Sequence, residues 1–320
     1  MRMKKDAART PSETATSRCI VTAVMGPTNA GKSTLVNALT GSKISIVTPK
    51  VQTTRSRVIG LTVQDNTQFV FIDTPGIFAP KRKLDKAMVK AAWEGLDGAD
   101  AALLVIDVQR GICEFCEMVM DALTRFKSED RLVSAVINKV DTVPPDRLLI
   151  LASELGKRHL FDEIFMVSAL KNDGVDAIMS YLAQRAPEMP FLYPEDQAGT
   201  MPMRQFAAEI TREKLFLALH QEIPYGLVVE TEQWEDRDKT EKDPNGSAKI
   251  QQVIYVERES HKKMVIGAGG ALLKRIGETS RRELEKHLSM RVHLFLFVKV
   301  REQWQDDRER YVNMGLEFPE

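Results

Sequence analysis

Short apolar runs rich in Val and Ile alternate with longer amphipathic stretches from about residue 19 to residue 186. The apolar runs have the length and β-branched content of buried strands, and most of the stretches between them, such as Lys83–Leu96 and Phe115–Phe126, are long enough for helices. Strands that alternate with helices predict an α/β domain with a doubly wound, mostly parallel sheet. The predicted strands are Cys19–Met25, Phe69–Asp73, Ala101–Asp107, Arg131–Ile137 and Ile164–Val167, with Val58–Val63 as a further candidate.

The pattern changes after Ala186. Four prolines within residues 187–202 are incompatible with a helix interior or a central strand, so we predict a first domain over 19–187 and a linker over 188–202. A smaller α+β domain is predicted over 203–304, with a disordered tail at 1–18 and another tail at 305–320. Its predicted elements are helix Met203–His220, strands Leu227–Trp234 and Lys249–Glu257 joined by a turn at Asp243–Gly246, a helix, a glycine-rich turn, helix Ala271–His287 and strand Arg291–Arg301.

The charge of the chain is balanced in total but not along its length. The chain has 320 residues, with 45 basic and 45 acidic side chains. Zero net charge taken alone argues against a general nucleic-acid binder. However, residues 258–291 carry nine Lys and Arg against four Asp and Glu, whereas residues 228–245 carry three against seven. The balance therefore does not exclude nucleic acid, and it favours one localised docking strip.

The apolar runs are too short to cross a membrane, and the first 18 residues lack the apolar segment of a secretory signal. Three cysteines form no disulfide framework, which indicates a reducing cytoplasm. Cys113 and Cys116 form a C-x-x-C string, which can be redox-active or half of a zinc site. Because no second pair accompanies it, we interpret it as a buried pair of thiols.

A glycine-rich loop after the first predicted strand has the sequence Gly26-Pro-Thr-Asn-Ala-Gly-Lys-Ser33, which matches G-x-x-x-x-G-K-[ST]. Such a loop turns its backbone N–H groups toward phosphate oxygens, and the helix that follows adds its positive end. Lys32 would place an ammonium on the β- and γ-phosphates, and the Ser33 hydroxyl can bind Mg²⁺. The predicted phosphate-binding residues are Gly26, Pro27, Thr28, Asn29, Ala30, Gly31, Lys32, Ser33 and Thr34.

The string Asn-Lys-Val-Asp at 138–141 follows a predicted buried strand and indicates guanine rather than adenine. The Asp141 carboxylate can accept hydrogen bonds from N1–H and the 2-amino group of guanine, and adenine has neither donor there. The string Ser-Ala-Leu-Lys at 168–171 can offer a backbone amide to the guanine oxygen. The residues predicted to contact or support the base are Asn138, Lys139, Asp141, Ser168 and Ala169.

Two further strings predict a magnesium site and segments that respond to the γ-phosphate. In Asp73-Thr-Pro-Gly76, the Asp73 carboxylate can hold Mg²⁺ through water and the Gly76 amide can donate to the γ-phosphate. In Gln52-Thr-Thr-Arg55, we favour Thr54 over Thr53 as the residue that closes over the metal. The predicted cofactors are thus GTP or GDP with Mg²⁺, and the predicted metal ligands are Ser33, Thr54 and Asp73.

These strings, in this order, resemble the translation-factor-like GTPases over about Cys19–Ala186. The paired threonines before Arg55 and the Asp-Thr-Pro-Gly string point to the Era/EngA/TrmE group. Ile77 stands where Ras-like GTPases have a glutamine that orients the attacking water, so hydrolysis is expected to be slow or to follow another route. The resemblance implies one such route, in which Asn29 helps to bind K⁺; otherwise Asn29 merely caps the loop. The catalytic residues that it implies are Asn29, Lys32, Thr54 and Gly76.

The turn Gly267-Ala-Gly-Gly270 lies between two predicted helices and lets the backbone approach a sugar-phosphate chain closely. It matches the Gly-x-x-Gly clamp of the KH module, which grips about four nucleotides of single-stranded RNA. The order of predicted elements also resembles the type-II KH domain. The predicted RNA contacts are Lys262, Lys263, Gly267, Ala268, Gly269, Gly270, Lys274 and Arg275, with the four cations suited to phosphates rather than to bases.

An Era-type GTPase joins these two modules in this order, and the resemblance runs nearly end to end. It implies binding to the 3′ end of 16S ribosomal RNA, a role in assembly of the 30S subunit, and peripheral association with the inner face of the cell membrane. We also expect a monomer in the cytoplasm. The alternative is an RNA-binding chaperone in which the nucleotide is structural and hydrolysis is incidental.

Overall fold

The computed structural model describes residues 16–219, 223–239, 244–302 and 304–319, which fold into two domains, each built on one sheet. The strands are β1 (Arg18–Met25), β2 (Val58–Gln64), β3 (Thr67–Asp73), β4 (Ala101–Asp107), β5 (Leu132–Asn138), β6 (Glu163–Val167), β7 (Leu227–Arg237), β8 (Ser247–Val256) and β9 (Arg291–Val300). The α-helices are α1 (Lys32–Thr40), α2 (Lys83–Glu94), α3 (Glu114–Lys127), α4 (Pro145–Gly156), α5 (Val175–Arg185), α6 (Met203–Ala218), α7 (Glu259–Ile266), α8 (Ala271–Leu288) and α9 (Arg308–Asn313).

A six-stranded sheet in the order β2-β3-β1-β4-β5-β6 forms the first domain, and only the β2–β3 pair is antiparallel. One face packs around Phe69 and Phe71 against α1 and α5, and the other packs around Leu104 and Ile106 against α3 and α4. The predicted doubly wound, mostly parallel sheet is therefore confirmed. The carboxyl ends of the five parallel strands meet at one edge, where the loops that carry the motifs converge.

The predicted linker, residues 188–202, contains no helix or strand, but it is attached to the edge of this sheet. The backbone N of Leu61 donates to the carbonyl of Ala198 at 2.8 Å, and the backbone N of Thr200 donates to the carbonyl of Ile59 at 3.3 Å. The prolines prevent regular secondary structure in this segment. Individual hydrogen bonds nevertheless attach it to β2 up to Thr200.

The second domain has a three-stranded sheet in the order β7-β8-β9, with β7 antiparallel and β9 parallel to β8. Helices α6 and α8 cover one face, where Phe216, Ile254 and Ile276 are buried. The order α-β-β-α-α-β is the one predicted for a type-II KH domain. Strand β7 extends past the predicted end because its last residues pair with the start of β8, up to Arg237 opposite Ser247.

The N-terminal tail and the hairpin turn fall partly outside the described residues. Residues 1–15 lie outside them, but Arg18 already belongs to β1, where its backbone N donates to the carbonyl of Asn66 at 2.9 Å. Of the predicted turn, Asp243 lies outside the described residues, while Pro244 and Asn245 form a turn.

The predicted tail at 305–320 is folded and packed in the part that the structure describes. Residues 304–306 and α9 form short helical turns. They pack against α2 of the first domain, so their burial comes from a partner far away in sequence. Few apolar residues stand among many charges here, which is why no periodic pattern predicted this packing. The buried cluster includes Leu84, Met88, Val228, Trp304, Tyr311 and Leu316.

Candidate nucleotide-binding site

The loop between β1 and α1 runs so close to its neighbours that two positions require glycine. Gly26 has a φ of +140°, and a Cβ there would lie 2.4 Å from the carbonyl oxygen of Val105. Gly31 has a φ of +99°, and a Cβ there would lie 2.2 Å from the side-chain nitrogen of Asn138. Helix α1 then begins at Lys32, so its unpaired N–H groups face the loop. Residues 26–34 thus form one loop and the first residues of α1.

Lys32 is buried beneath this loop. Its Nζ donates to the carbonyls of Gly26 at 3.1 Å and Pro27 at 2.9 Å. Burial lowers the pKa of the ammonium group to about 8, and the nearby Asp73 carboxylate opposes this shift. A desolvated cation of this kind gains more from an arriving phosphate than an exposed one does, because less water is displaced from it.

Three oxygen-bearing side chains converge next to the loop. Ser33 Oγ lies 2.7 Å from Thr54 Oγ1, and Thr54 Oγ1 lies 3.4 Å from Asp73 Oδ2. Asp73 is fully buried, its Oδ1 has no hydrogen-bond partner within the described part of the chain, and burial raises the pKa of its carboxyl. Two hydroxyls and a carboxylate with an unused oxygen fit Mg²⁺, which prefers oxygen ligands. The Thr53 hydroxyl instead lies 2.6 Å from the Thr48 hydroxyl, outside this cluster.

Asn138 connects the loops that flank the predicted base site. Its Nδ2 donates to the carbonyl of Ala30 at 2.9 Å, and its Oδ1 accepts from the backbone N of Ala169 at 3.1 Å and of Lys139 at 2.8 Å. One amide side chain thus joins the phosphate loop, the Asn-Lys-Val-Asp loop and the loop after β6.

Asp141 is exposed at the rim of the same site. Its Oδ1 accepts from Ser168 Oγ at 2.7 Å, and its Oδ2 lies 3.3 Å from Lys171 Nζ. The hydrogen bond from Ser168, followed by that from Lys171, holds the pKa of the Asp141 carboxyl below its usual value. The carboxylate is therefore ionised and positioned as an acceptor.

Lys139 makes a contact that the sequence analysis missed. Its Nζ donates to the carbonyl of Asn29 at 2.8 Å and to Asp107 Oδ2 at 2.6 Å. Asp107 ends β4 directly opposite Asn138 in the parallel pair. An aspartate at the carboxyl end of a predicted strand, at the edge where the other motifs lie, is a signal that could have identified it.

Gly76 approaches the phosphate loop through its backbone. A Cβ on Gly76 would lie 2.7 Å from the Cα of Thr28, and the backbone N of Ile77 donates to the carbonyl of Gly26 at 3.1 Å. The Ile77 side chain is buried in the sheet core. Residue 77 therefore supplies no group that could orient a water at the phosphates.

Asn29 has a φ of +63°, and its Nδ2 donates to the carbonyl of Pro49 at 2.9 Å. The side chain thus reaches from its own loop to the segment that leads to Thr54. This hydrogen bond connects the phosphate loop to the segment that carries Thr54.

The predicted RNA-facing turn contains three glycines with positive φ: +75° at Gly267, +56° at Gly269 and +79° at Gly270. A Cβ on Gly267 would lie 2.7 Å from the Cβ of Leu272, whereas a Cβ on Gly269 would meet no atom within 4 Å. Glycine is thus required by packing at Gly267, while Gly269 faces open space. Of the four predicted phosphate-binding cations, Lys263, Lys274 and Arg275 are exposed and Lys262 is half-buried.

Comparisons with known proteins agree with this architecture. The family model described as "50S ribosome-binding GTPase" matches residues 21–139, and that of the KH domain matches residues 222–305. GTPase Era of Sinorhizobium medicae (strain WSM419) is 52% identical over 297 residues, which are 93% of each chain. GTPase Era of Bradyrhizobium diazoefficiens is 51% identical over 306 residues, which are 95% of this chain and 96% of that protein.

Solved structures give the same result. A crystal structure of Era in complex with MgGDPNP and nucleotides 1506–1542 of 16S ribosomal RNA superposes with a TM-score of 0.85 at 37% identity and covers 93% of this chain and 99% of that one. A variant of Aquifex aeolicus Era bound to GDP and AlF4⁻ matches with the same TM-score and identity.

The fold and the site define a P-loop GTPase domain followed by a KH domain. With about half of its residues identical over nearly the whole length of both chains, this chain belongs to the Era family of GTPases. The predicted family, fold class and GTPase activity are confirmed. No helix in the described ranges is long and apolar enough to cross a membrane. Peripheral membrane association and the monomeric state stay predictions.

Proposed function

We propose that this chain is a GTP-driven switch that binds the 3′ region of 16S ribosomal RNA through its KH domain and assists assembly of the 30S subunit. The observation that carries the proposal is a set of hydrogen bonds from the segment around Thr54 to the KH domain. The similar Era structure, which contains MgGDPNP and nucleotides 1506–1542 of 16S ribosomal RNA, supports the choice of RNA.

Residues 50–55, which we call the switch segment, bond to the KH domain at three points. Lys50 Nζ donates to two carbonyls at the end of α6. The carbonyl of Thr53 accepts from the Arg212 guanidinium on α6 at 2.5 Å, and Arg55, which is buried, donates to the first carbonyl of β7 at 2.9 Å. Because a candidate magnesium ligand lies within this segment, a change of nucleotide acts on the same backbone that holds α6 and β7.

At the nucleotide, we propose that Lys32 binds the β- and γ-phosphates and that Asp141 selects guanine. Ser33, Thr54 and Asp73 would hold Mg²⁺, which when bound supplies positive charge to the phosphates. The remaining proposed contacts are residues 26–31, Thr34, Gly76, Asn138, Lys139, Ser168 and Ala169.

Hydrolysis must do without a glutamine at residue 77. We propose that a K⁺ ion near Asn29 supplies positive charge where the transition state needs it. Phosphate release is then expected to be faster in KCl than in NaCl of equal concentration, and Asn29→Ala should remove the difference. Equal rates in both salts would leave Asn29 only its hydrogen bond to Pro49.

The RNA-facing turn allows a test by charge alone. Gly269 faces open space with a positive φ, which Asp and Asn tolerate better than other residues do. Gly269→Asp should weaken binding to a 16S 3′-end oligonucleotide by about fivefold or more relative to Gly269→Asn, because a carboxylate close to a phosphate costs roughly 1 kcal/mol or more. Equal affinity of the two variants, measured by fluorescence anisotropy, would place the RNA elsewhere.

The chaperone alternative differs in one observable. If the nucleotide is only structural, phosphate release is the same with and without the RNA and with either salt. Stimulation by the 3′-end RNA supports the switch. Crosslinking in cells, followed by sequencing of the bound RNA, tests the identity of the RNA independently.

A further inference from the structure

Cys113 and Cys116 form a close pair of thiols at the start of α3. Both are free, and their Sγ atoms lie 3.4 Å apart. A disulfide needs about 2.05 Å, so the sulfurs would have to approach by about 1.4 Å. Cys113 is the N-cap residue, with an extended backbone at φ −108° and ψ 169°, and its carbonyl accepts the first helical hydrogen bond, from the backbone N of Glu117 at 3.1 Å, while its side chain lies outside the helix. The bond can therefore form without unwinding α3.

The two thiols differ in their access to solvent. Cys113 is half-buried, whereas Cys116 is fully buried, and burial raises the pKa of the Cys116 thiol to about 12. In Cys-x-x-Cys dithiols an accessible first cysteine attacks and a second one resolves the mixed disulfide. The neighbouring Glu117 is paired with both Nη atoms of Arg158, at 2.6 and 3.0 Å, which offsets a negative charge that would oppose the attack.

The loop at 107–113 links this pair to the nucleotide motifs. Its first residue, Asp107, accepts from the Lys139 ammonium at 2.6 Å. Arg110 donates to the carbonyl of Thr28 in the phosphate loop at 3.3 Å. At its other end, the Cys116 thiol donates to the carbonyl of Gly111 at 3.9 Å. One short loop thus contacts the thiols, the phosphate loop and the guanine motif.

We propose that Cys113 and Cys116 are a redox-reactive dithiol, and that their oxidation to a disulfide by a low-molecular-weight disulfide weakens nucleotide binding through the loop at 107–113. The Cys113 thiolate attacks one sulfur of the oxidant R–S–S–R, which forms a mixed disulfide and expels RS⁻. The Cys116 thiol then loses its proton and attacks Cys113 Sγ, which expels the second RS⁻. The two electrons pass from the protein to the oxidant, which leaves as two molecules of thiol.

Oxidation acts on the loop in two ways. It removes the hydrogen that Cys116 donates to Gly111, and it pulls the Cys113 side chain toward the helix. Both changes act on the loop that holds Lys139 and Thr28. If the displaced loop loses one of its hydrogen bonds to Lys139 or Thr28, the free-energy cost of one hydrogen bond corresponds to a two- to tenfold decrease in affinity. We therefore expect GDP to bind about two- to tenfold more weakly after oxidation.

The test compares the full-length protein after treatment with dithiothreitol and after treatment with glutathione disulfide. Mass spectrometry of the peptide that contains both cysteines should show the loss of two hydrogen atoms, and a fluorescent GDP should bind more weakly. Both effects should reverse with dithiothreitol. Cys19→Ser, which changes the third and fully buried cysteine, should respond as the unchanged protein does.

Two variants keep the test independent of folding defects. Cys113→Ala changes a half-buried side chain and should abolish the response, and Cys116→Ala should leave Cys113 with a glutathione adduct but no internal bond. Under reducing conditions, the GDP affinity of Cys113→Ala, which keeps the Cys116 thiol and its hydrogen bond to Gly111, should match that of the unchanged protein. Cys116→Ala lacks this hydrogen bond from the start, so its GDP affinity is compared only before and after glutathione disulfide. Thiols that stay reduced, an adduct on the unchanged protein without the internal disulfide, or a disulfide that leaves GDP affinity unaltered would each overturn the proposal.

Discussion

At the scale of single residues, Asp141 shows how a neighbour adjusts a recognition group. The carboxylate is exposed, so burial alone would leave it close to an ordinary aspartate. The hydrogen bond from Ser168 makes the difference, because it favours the ionised form that guanine requires. Ser168 thus contributes to guanine binding without needing to touch the base.

We predict that Ser168→Ala makes GDP binding more sensitive to acid. The unchanged protein keeps Asp141 ionised below the usual aspartate pKa, so binding holds as the pH falls and is lost only through the lowered pKa. Without the Ser168 hydroxyl the pKa rises, and the loss moves to higher pH. Titration of GDP affinity from about pH 3 to pH 6 measures this shift. Thr142→Ala, which removes a nearby hydroxyl bonded to the carbonyl of Lys139, should show no shift.

Lys32 predicts a dependence of stability on pH in the nucleotide-free protein. The folded state releases this proton near pH 8, whereas the unfolded chain holds it to about 10.5. Between these values the unfolded state binds more protons, so the free energy of unfolding rises with pH. At about 1.4 kcal/mol per pKa unit, Lys32 contributes a rise of about 2–3 kcal/mol.

Urea unfolding at pH 7.5 and at pH 10 measures this rise. Lys32→Met should lack it, while Lys81→Met, which changes an exposed lysine, should keep it. The same rise in Lys32→Met as in the unchanged protein would show that other groups cause it.

At the scale of elements, the switch segment is a place where the two domains contact each other directly. Arg55 is buried and donates to the carbonyls of Leu227 at 2.9 Å and Pro224 at 3.3 Å. Its guanidinium also lies 5.8 Å from the centre of the Phe216 ring. A lysine keeps the charge but lacks the planar fork that serves two carbonyls and a ring together.

We therefore predict that Arg55→Lys reduces the coupling between nucleotide and RNA. In the unchanged protein, affinity for the 3′-end RNA should differ between the GDP and GDPNP states, and the difference should shrink severalfold in the variant because at least one hydrogen bond is lost. Arg57→Lys is the matched control, since Arg57 is exposed and donates to the carbonyl of Glu94, which belongs to the first domain. An equal loss in both variants would contradict a specific role for Arg55.

The helices and strands could be predicted from the local sequence pattern, but the contacts between them could not. Buried parallel strands produce apolar runs, and the phosphate and guanine motifs must stand at strand ends, so the sheet and most of the nucleotide site were predictable. The Asp107–Lys139 pair and the burial of Trp304 and Tyr311 depend on partners far along the chain. A single sequence does not record which distant residues meet, and these contacts appeared only in the folded molecule.

At the scale of the whole molecule, the uneven charge predicts how salt affects RNA binding. The net positive stretch at 258–291 contains the glycine turn and α8, while the net negative stretch at 228–245 is part of the same domain. Three or four phosphate contacts on a single strand give a slope of about −2 to −3 for the logarithm of affinity against the logarithm of salt concentration. A slope near −7 would instead indicate contact with about ten phosphates and a diffuse mode of binding.

The attachment of the linker also limits how far the KH domain can travel. The last hydrogen bond of the linker to the first domain is that of Thr200, and α6 begins at Met203, so only Met201 and Pro202 lie between. The three extended Cα–Cα steps from Thr200 to Met203 span about 10 Å, and the proline fixes one torsion. Even with every bond of the switch segment broken, an RNA held by the KH domain keeps a high effective concentration beside the GTPase domain. The linker is too short for the two domains to move far apart. Release of the RNA must therefore come from a lower affinity of the KH domain for the RNA.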